Sequence, residues 1–143
     1  RLEMTRRMIS REERMSVTDI EIERRGPSYT VDTMADLSKI RPASYWFLMG
    51  ADSLDTISEW HNPERLVRYC RLGVALRPPF DRSMALRNVS DWLQESVDFI
   101  DLPSMAISSS HIRDLVARGI DASRHLNPDV WRYVLEQNLY RDE

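Results

Sequence analysis

The stretch Ile107-Ser108-Ser109-Ser110-His111-Ile112-Arg113 joins a predicted strand, residues 97–102, to a predicted helix, residues 111–117. One serine at this junction can cap the helix by accepting a hydrogen bond from a backbone N–H of the first turn. The other hydroxyls have no such role, and Arg113 is a cation where the helix dipole favours an anion. Because helix N-termini bind phosphate readily, the stretch is typical of a phosphate site. A serine cap followed by a solvated arginine is the alternative.

The composition is that of an ordinary globular chain. With 143 residues, 42% hydrophobic and 30% charged, it is long enough to form one domain with a buried core. A net charge of −3 argues against a surface that coats nucleic acid, and no apolar run approaches the ~20 residues of a membrane span. The single cysteine, Cys70, fits a reducing, cytoplasmic location. Because the chain begins with Arg1, we expect that its N-terminus was processed or cut from a longer chain.

Residues 45–49 form the continuous apolar run Tyr-Trp-Phe-Leu-Met, which predicts a central parallel strand with both faces covered. Gly50 allows a sharp turn after it, and Asp52 or Ser53 is expected to cap a short helix. In open α/β sheets, ligands bind in the crevice at the carboxyl ends of the strands. A second such end is predicted at Arg77, after a strand at 72–76, although a surface arginine is the plainer interpretation.

Further elements alternate along the chain. In residues 18–23, Thr18, Ile20 and Ile22 alternate strictly with acidic side chains, which predicts an edge strand with a solvated outer face. Helical spacing predicts helices at residues 1–9, 30–40, 63–69, within 80–96 and 127–140. Strands that alternate with helices indicate an α/β fold with a mostly parallel sheet.

Two aromatic residues lie where a ligand could reach them. Trp60 falls in a short loop between two predicted helices, so its indole is either part of the core or a stacking platform for a flat ligand. Tyr29 lies just before the predicted helix at 30–40 and has no capping role, so it either packs or contacts a ligand. Thr30 can be read as the N-cap of that helix.

Several stretches taken together resemble a known family. They are Glu21-Ile22-Glu23-Arg24-Arg25-Gly26-Pro27-Ser28-Tyr29-Thr30-Val31-Asp32-Thr33-Met34, Gly50-Ala51-Asp52-Ser53-Leu54 with Trp60, Arg77-Pro78-Pro79, the serine stretch at 107–113, and Asn138-Leu139-Tyr140. This combination resembles the bacterial nicotinate-nucleotide adenylyltransferases of the nucleotidyltransferase superfamily. The resemblance implies a Rossmann-like, doubly wound sheet and a single nucleotidyltransferase domain over residues 1–143. The serine–arginine motif is shared across the superfamily, whereas the other stretches indicate this member.

The resemblance also implies roles for individual residues. Those expected to bind ATP are Gly50 and Asp52 at the adenosine, and Ser109, Ser110 and Arg113 at the phosphates. Those expected to bind the substrate are Tyr29 and Thr30 at the nicotinate end of the mononucleotide, Trp60 stacked on the pyridine ring, and Arg77 beside that pocket. The implied reaction joins ATP and nicotinate mononucleotide into nicotinate adenine dinucleotide and pyrophosphate, with Mg²⁺ as the expected metal and no protein ligand assigned to it.

The family's N-terminal Gly-x-Phe-Asp-Pro-x-His-x-Gly-His motif, whose histidines stabilise charge on the transferring group, is not found in this sequence. The catalytic residues are therefore left unassigned, and the chain is expected to begin after the first two strands of a sheet of order 3-2-1-4-5. Residues 18–23 would be strand three and residues 45–49 strand four. The chain alone is expected to be inactive.

Two other functions stay open at this point. One is a related adenylyltransferase, such as one that uses a pantetheine phosphate, although Tyr29, Thr30 and Trp60 argue against it. The other is a non-catalytic nucleotide-binding module that begins at Arg1. The acid and the amide mononucleotide both fit the sequence. The sequence is also compatible with two ways of completing the binding site: a missing N-terminal segment or a homo-oligomer.

Overall fold

The computed structural model describes residues 1–77, 81–103 and 107–141, and its sheet has three parallel strands. The strands are β1 (Trp46–Gly50), β2 (Arg71–Ala75) and β3 (Val97–Ile100), in the order β1-β2-β3. Trp46 lies opposite Arg71 in the first pair, and Leu72 lies opposite Val97 in the second. Because helices connect these parallel strands, the predicted α/β class is confirmed.

The helices of the described residues are α1 (Leu2–Met8), α2 (Ile20–Glu23), α3 (Thr30–Ile40), α4 (Ala51–Asp55), α5 (Pro63–Leu66), α6 (Arg82–Leu86), α7 (Asp91–Gln94), α8 (Ser109–Ala117) and α9 (Pro128–Glu136). Apart from α2, they follow the predicted order, and several, such as α1, α5 and α9, are shorter than predicted. Single 3₁₀ turns cover Ile57–Glu59 and Ser123–His125. The bounds of α3 match the prediction. The residues Pro78, Pro79 and Phe80, which the sequence analysis also used, lie outside the described ones.

The chain divides into two compact units. The first comprises residues 1–19 and 105–143, and the second comprises residues 20–104. The first is helical and packs α1, α8 and α9 around Val116, Ala122, Val130 and Val134. Asn127 caps α9 by accepting from the N–H of Asp129 at 2.8 Å. None of the helices in the described residues combines the length and apolar character that a membrane crossing needs.

In the second unit, one face of the sheet is packed and the other is open. Phe47, Met49, Leu72 and Val74 face the core, where they pack with residues of α3, α4 and α5. This follows from the two-residue period of a strand, which sends alternate side chains to opposite faces.

The opposite face corrects the prediction that both faces of residues 45–49 are covered. Trp46 and Leu48 are 51% and 68% exposed, and β1 pairs with β2 alone among the described strands. On this face Arg71 donates to both carboxylate oxygens of Asp98, at 2.6 and 2.9 Å, and the Trp46 indole N–H donates to Asp98 at 2.8 Å. The indole N–H thus accommodates Trp46 at this surface, whereas Leu48 makes no such bond and is an apolar side chain left uncovered by the described residues.

The predicted strand at residues 18–23 is wrong, since Ile20–Glu23 forms α2. Ile22, assigned to the buried face of that strand, is 67% exposed. A strand needs a neighbour for its backbone groups, and no described strand lies beside this segment. It instead closes a helical turn, in which the N–H of Arg24 donates to the carbonyl of Ile20 at 3.2 Å.

Candidate functional site

Gly50 and Asp52 lie where β1 passes into α4. The Asp52 carboxylate folds back over Gly50, so a Cβ added at Gly50 would collide with it. Arg77 follows β2 and donates to Asp52 at 3.1 Å. Because the carboxyl ends of adjacent parallel strands meet at one edge of the sheet, Arg77 lies beside Gly50 and Asp52, whereas the resemblance implied a position beside the mononucleotide pocket. The helix cap differs from the prediction: Gly50 occupies the N-cap position, and neither Asp52 nor Ser53 caps α4 with its side chain.

A second group of predicted residues forms a pocket of about 230 Å³, called here the aromatic pocket. Its lining residues are Ser28, Tyr29, Thr30, Glu59, Trp60 and His61. Tyr29 occupies the N-cap position of α3 without a side-chain cap bond, and Thr30 is the first helical residue. Thr30 is therefore not the cap. The first N–H groups of a helix have no acceptor within it, so the start of α3 offers donors at the pocket.

Aromatic contacts hold the pocket walls in place. The Trp60 ring packs edge-on against Phe47 of β1, with centroids 5.8 Å apart and planes at 81°. Trp60 is thus half-buried against the core while it also lines the pocket. Its contact with the core is confirmed, and its role as a stacking platform stays a prediction. Tyr29 stacks on His61, with centroids 4.1 Å apart and planes at 24°. Sequence analysis assigned no role to His61.

A polar network that the sequence analysis also missed anchors the turn before Tyr29. Arg24 donates to the Thr33 hydroxyl at 3.1 Å and to Asp36 at 2.9 Å. Thr33 in turn donates to the Glu21 carboxylate at 2.7 Å. The Arg24 bond, followed by that of Lys39, lowers the pKa of Asp36. These bonds tie α2 to α3 on either side of residues 25–28.

In the other unit, the residues Ser108–Arg113 form the start of α8, called here the serine-rich turn. Ser108 is the cap, since its hydroxyl accepts from the His111 N–H at 3.1 Å. The Ser110 hydroxyl accepts from Arg113 at 3.2 Å, so the guanidinium lies over the first turn. Capping uses one serine of the three, as the sequence suggested. The backbone N–H groups of Ser109 and Ser110 have no acceptor within the helix.

Ser109 and Arg113 also border a small, mostly apolar cavity of about 130 Å³ in the same unit. Its other lining residues are Met4, Ile112, Val116, Leu126, Val130, Val134 and Tyr140. Tyr140 has a positive φ of 63°, which is uncommon for an aromatic residue. The family-like Asn138-Leu139-Tyr140 stretch thus lies near the serine-rich turn, a proximity that its distance in sequence did not predict.

The nine predicted site residues therefore form three local groups. Gly50, Asp52 and Arg77 form one, Tyr29, Thr30 and Trp60 the second, and Ser109, Ser110 and Arg113 the third, which belongs to the other unit. The described residues contain no group of three His, Cys, Asp or Glu side chains that could hold a metal ion. Cys70 is no candidate nucleophile, because burial raises its pKa to about 11.

Comparison with known families identifies the chain's relatives. The cytidylyltransferase-like family matches residues 1–115. A Synechococcus protein named "Probable nicotinate-nucleotide adenylyltransferase" is 33% identical over 144 residues, which are 99% of this chain and 70% of that protein. A Dehalococcoides mccartyi protein of the same name is 35% identical over 147 residues, which are 98% of this chain and 71% of that protein. The chain thus spans about 70% of the length of these relatives.

Solved structures agree on the fold. Plasmodium falciparum nicotinic acid mononucleotide adenylyltransferase, complexed with APC, aligns with a TM-score of 0.58 at 20% identity, over 81% of this chain and 60% of that one. The same protein complexed with NaAD aligns with a TM-score of 0.57 at 21% identity, over 80% and 58%. At this identity the likeness concerns the fold, which is that of the nucleotidyltransferases. The chain belongs to the cytidylyltransferase-like family and, within it, to the nicotinate-nucleotide adenylyltransferases.

Proposed function

We propose that the protein transfers the adenylyl group of ATP to nicotinate mononucleotide in NAD biosynthesis. A phosphate oxygen of the mononucleotide attacks the α-phosphorus of ATP and forms a new P–O bond. The bond from the α-phosphorus to its bridging oxygen breaks, and pyrophosphate leaves with that oxygen. Nicotinate adenine dinucleotide is the other product. The names and coverage of the relatives support this reaction.

The aromatic pocket is the observation that carries the proposal. Tyr29 and Thr30 come from one family-like stretch and Trp60 from another, and all three line one pocket. Two aromatic walls and the N–H donors at the start of α3 suit a flat ring with a polar substituent. We assign the pyridine ring to the face of Trp60 and the substituent to Tyr29 and Thr30.

For ATP we propose two sets of contacts. The serine-rich turn binds phosphate through Ser109, Ser110 and Arg113, where N–H groups, hydroxyls and a guanidinium converge on one helix end. Gly50 gives the adenosine close access to the backbone, and Asp52 accepts from the ribose. Arg77 was expected beside the mononucleotide, but its bond to Asp52 supports a position at the adenosine.

Magnesium is expected to arrive with the nucleotide rather than in a protein cage. Mg²⁺ usually keeps several waters and binds through substrate phosphates with one or two carboxylates. The described residues contain no cluster of metal-ligating side chains, so we assign no protein ligand and derive no step through the metal. We also propose that the protein is located in the cytoplasm, where ATP is abundant.

We propose further that residues upstream of Arg1 in the same polypeptide complete the site and join the chain into one nucleotidyltransferase domain. β1 lacks a second neighbour among the described strands, and its residue Leu48 is 68% exposed. The relatives are longer than this chain. Such residues would supply the charge stabilisation that phosphoryl-type transfer needs.

The test uses the polypeptide encoded by the full gene, incubated with ATP and either nicotinate mononucleotide or phosphopantetheine. Chromatography of the products and a pyrophosphate assay should show dinucleotide with the first acceptor and no product with the second. A product formed from phosphopantetheine would instead show that the protein is the related adenylyltransferase that uses a pantetheine phosphate. Binding of ATP without turnover of either acceptor would favour a non-catalytic nucleotide-binding module.

The 143-residue chain, expressed alone and assayed in parallel, is expected to be insoluble or partly folded and inactive. A soluble, cooperatively melting and active product would contradict the proposed upstream completion, while leaving the proposed reaction in place.

A further inference from the structure

Tyr140 has a backbone conformation that the end of α9 does not require. Its φ of 63° lies in the left-handed region, which costs free energy in any residue with a Cβ and is a genuine outlier for a bulky side chain. The other non-glycine residues with positive φ in the described ranges are Asn62 and Asn138, and asparagine tolerates this region. A strained residue persists where its surroundings fix it, and such residues cluster at functional sites.

The helix end itself needs one left-handed residue, and Asn138 supplies it. The N–H of Asn138 donates to the Leu135 carbonyl at 3.2 Å, and that of Leu139 donates to the Val134 carbonyl at 3.0 Å, which is the Schellman pattern of a helix C-terminus. Tyr140 lies beyond this motif and makes no backbone hydrogen bond to another described residue. Its conformation is therefore explained by where its side chain lies rather than by the helix end.

The side chain of Tyr140 lines the cavity of about 130 Å³ that Ser109 and Arg113 also border. Arg113 is held weakly by polar contacts: its guanidinium donates to the neutral hydroxyl of Ser110 at 3.2 Å and forms no ion pair with a carboxylate of the described residues. A long arginine side chain loses much rotamer freedom when a ligand fixes it. A second restraint in the free protein would therefore improve phosphate binding.

We propose that Tyr140 is a positioning residue for Arg113: its ring closes the cavity beside the arginine and holds the guanidinium over the serine-rich turn before ATP binds. This inference rests on the proposed function, because it concerns the phosphate contact assigned there to Arg113. The ring acts by packing, since the cavity is mostly apolar and the Tyr140 hydroxyl has no hydrogen-bond partner among the described residues.

The experiment measures the ATP affinity of the full-gene polypeptide by calorimetry, together with its melting temperature. Tyr140→Gly removes the ring and also the backbone strain, because glycine adopts positive φ freely. ATP binding should weaken about 3- to 10-fold, the usual cost of ordering one flexible side chain on binding, while the melting temperature stays nearly constant. Tyr140→Phe keeps the ring and should bind ATP as the unsubstituted polypeptide does.

Two further measurements separate positioning from a general structural role. Leu135→Ala is the matched control, since Leu135 is 42% exposed against 41% for Tyr140 but does not line the cavity, and it should leave ATP affinity unchanged. Because Tyr140 acts through Arg113, Tyr140→Gly should not weaken ATP binding further in an Arg113→Ala background. Nicotinate mononucleotide, which we assign to the aromatic pocket, should bind equally well in every variant.

The inference would be overturned by an unchanged ATP affinity in Tyr140→Gly, by an equal loss in Tyr140→Phe or Leu135→Ala, or by an undiminished loss in the Arg113→Ala background. A large fall in the melting temperature of Tyr140→Gly, with both ligands weakened alike, would show a structural role instead. If the unsubstituted polypeptide did not bind ATP, the proposed function would fail and this inference with it. Normal ATP binding by that polypeptide, with no response to Tyr140→Gly, would overturn the role of Tyr140 alone.

Discussion

The aromatic pocket and the serine-rich turn are assembled in different ways. The turn is local: its cap bond joins Ser108 to His111, and its arginine bond joins Arg113 to Ser110, each three residues apart. The pocket is not local, because Tyr29 stacks on a ring 32 positions along the chain, that of His61. A local helix start can keep its geometry as long as the helix exists. A pocket made from two distant loops depends on the packing that positions both of them.

This difference predicts how substitutions should act. Removing a side chain from the serine-rich turn should change ligand affinity and leave the fold almost intact, since Arg113 is exposed and its hydrogen bond goes to Ser110 of its own helix. Removing one from the aromatic pocket should change affinity and stability together, because the half-buried Trp60 also packs on Phe47 of the core. The following experiments test that contrast.

The largest effect is expected from Arg113→Ala. A hydrogen bond from a charged group contributes roughly 1.5–3 kcal/mol, so ATP affinity in the full-gene polypeptide should fall about 10- to 100-fold while the melting temperature barely moves. Titration calorimetry with ATP measures this. Arg118→Ala is the matched control, since Arg118 directly follows the same helix and pairs with the exposed Asp114 at 3.4 Å. An ATP affinity unchanged in Arg113→Ala would remove the phosphate role from this turn.

The same contrast explains how far the sequence predicted the site. The Ser108 cap requires only a serine directly before a segment whose apolar residues have helical spacing. The bounds of α3 likewise follow from the helical spacing of Val31, Met34 and Leu37. The Tyr29–His61 stack has no signature in sequence, because it arises from tertiary packing between two loops. The family resemblance identified Tyr29, Thr30 and Trp60 as partners in one pocket, whereas residue spacing alone left Trp60 undecided.

The errors in the fold have physical causes as well. Alternation over residues 18–23 was read as a strand, yet six residues can equally contain one helical turn. Arg24 holds that turn against α3 by its bonds to Thr33 and Asp36. The apolar run at residues 45–49 indicated a strand correctly, but the indole N–H of Trp46 allows one large apolar side chain to remain at a polar surface. The local hydrophobic pattern thus predicted the position of the strand at residues 45–49 better than it predicted which of its faces is buried.

Trp60→Ala should produce the next largest effect, and should affect both properties. Stacking of a flat ring on an aromatic side chain is worth about 1–3 kcal/mol, so affinity for nicotinate mononucleotide should fall about ten-fold with ATP affinity unchanged. Loss of the contact with Phe47 should also lower the melting temperature. Trp60→Phe should lose any quench of Trp60 fluorescence by the ligand while three tryptophans remain. A fall in stability without any loss of mononucleotide affinity would make Trp60 purely a core residue.

A smaller effect is expected from Arg24→Ala, which acts on the pocket at a distance. Its side chain is 19% exposed and bonds to Thr33 and Asp36 on α3, so its loss should loosen the turn that presents Tyr29. Mononucleotide affinity should fall a few-fold, and the melting temperature by a few degrees. Lys39→Ala is the matched control because Lys39 also contacts Asp36, at 3.3 Å, but not Thr33. Equal effects of the two substitutions would show that Arg24 merely neutralises Asp36.

The smallest effect should come from Asp98, which lies on the open face of the sheet and belongs to neither binding region. Bonds from Arg71 and then Trp46 lower its pKa to about 2. Its contribution to stability is therefore present above the ordinary carboxyl pKa near 4 and is lost as the pH falls from about 4 towards 2. Urea midpoints of the full-gene polypeptide, compared with those of Asp98→Asn, isolate this contribution. The other carboxylates with lowered pKa values, such as Asp36 and Asp81, titrate in both proteins.

The difference between the two stability curves should be present at neutral pH and shrink below pH 4. Affinities for ATP and for nicotinate mononucleotide at neutral pH should be the same in both proteins, because the Asp98 carboxylate accepts from Trp46 of β1 and Arg71 of β2, which belong to neither binding region. Curves that run parallel down to pH 2 would mean that Arg71 does not pair with Asp98 in solution. A loss of mononucleotide affinity in Asp98→Asn would instead connect the open face to the aromatic pocket through Trp46 and Phe47, neighbours on β1. The contrast between a local turn and a packing-dependent pocket would then extend to the far side of the sheet.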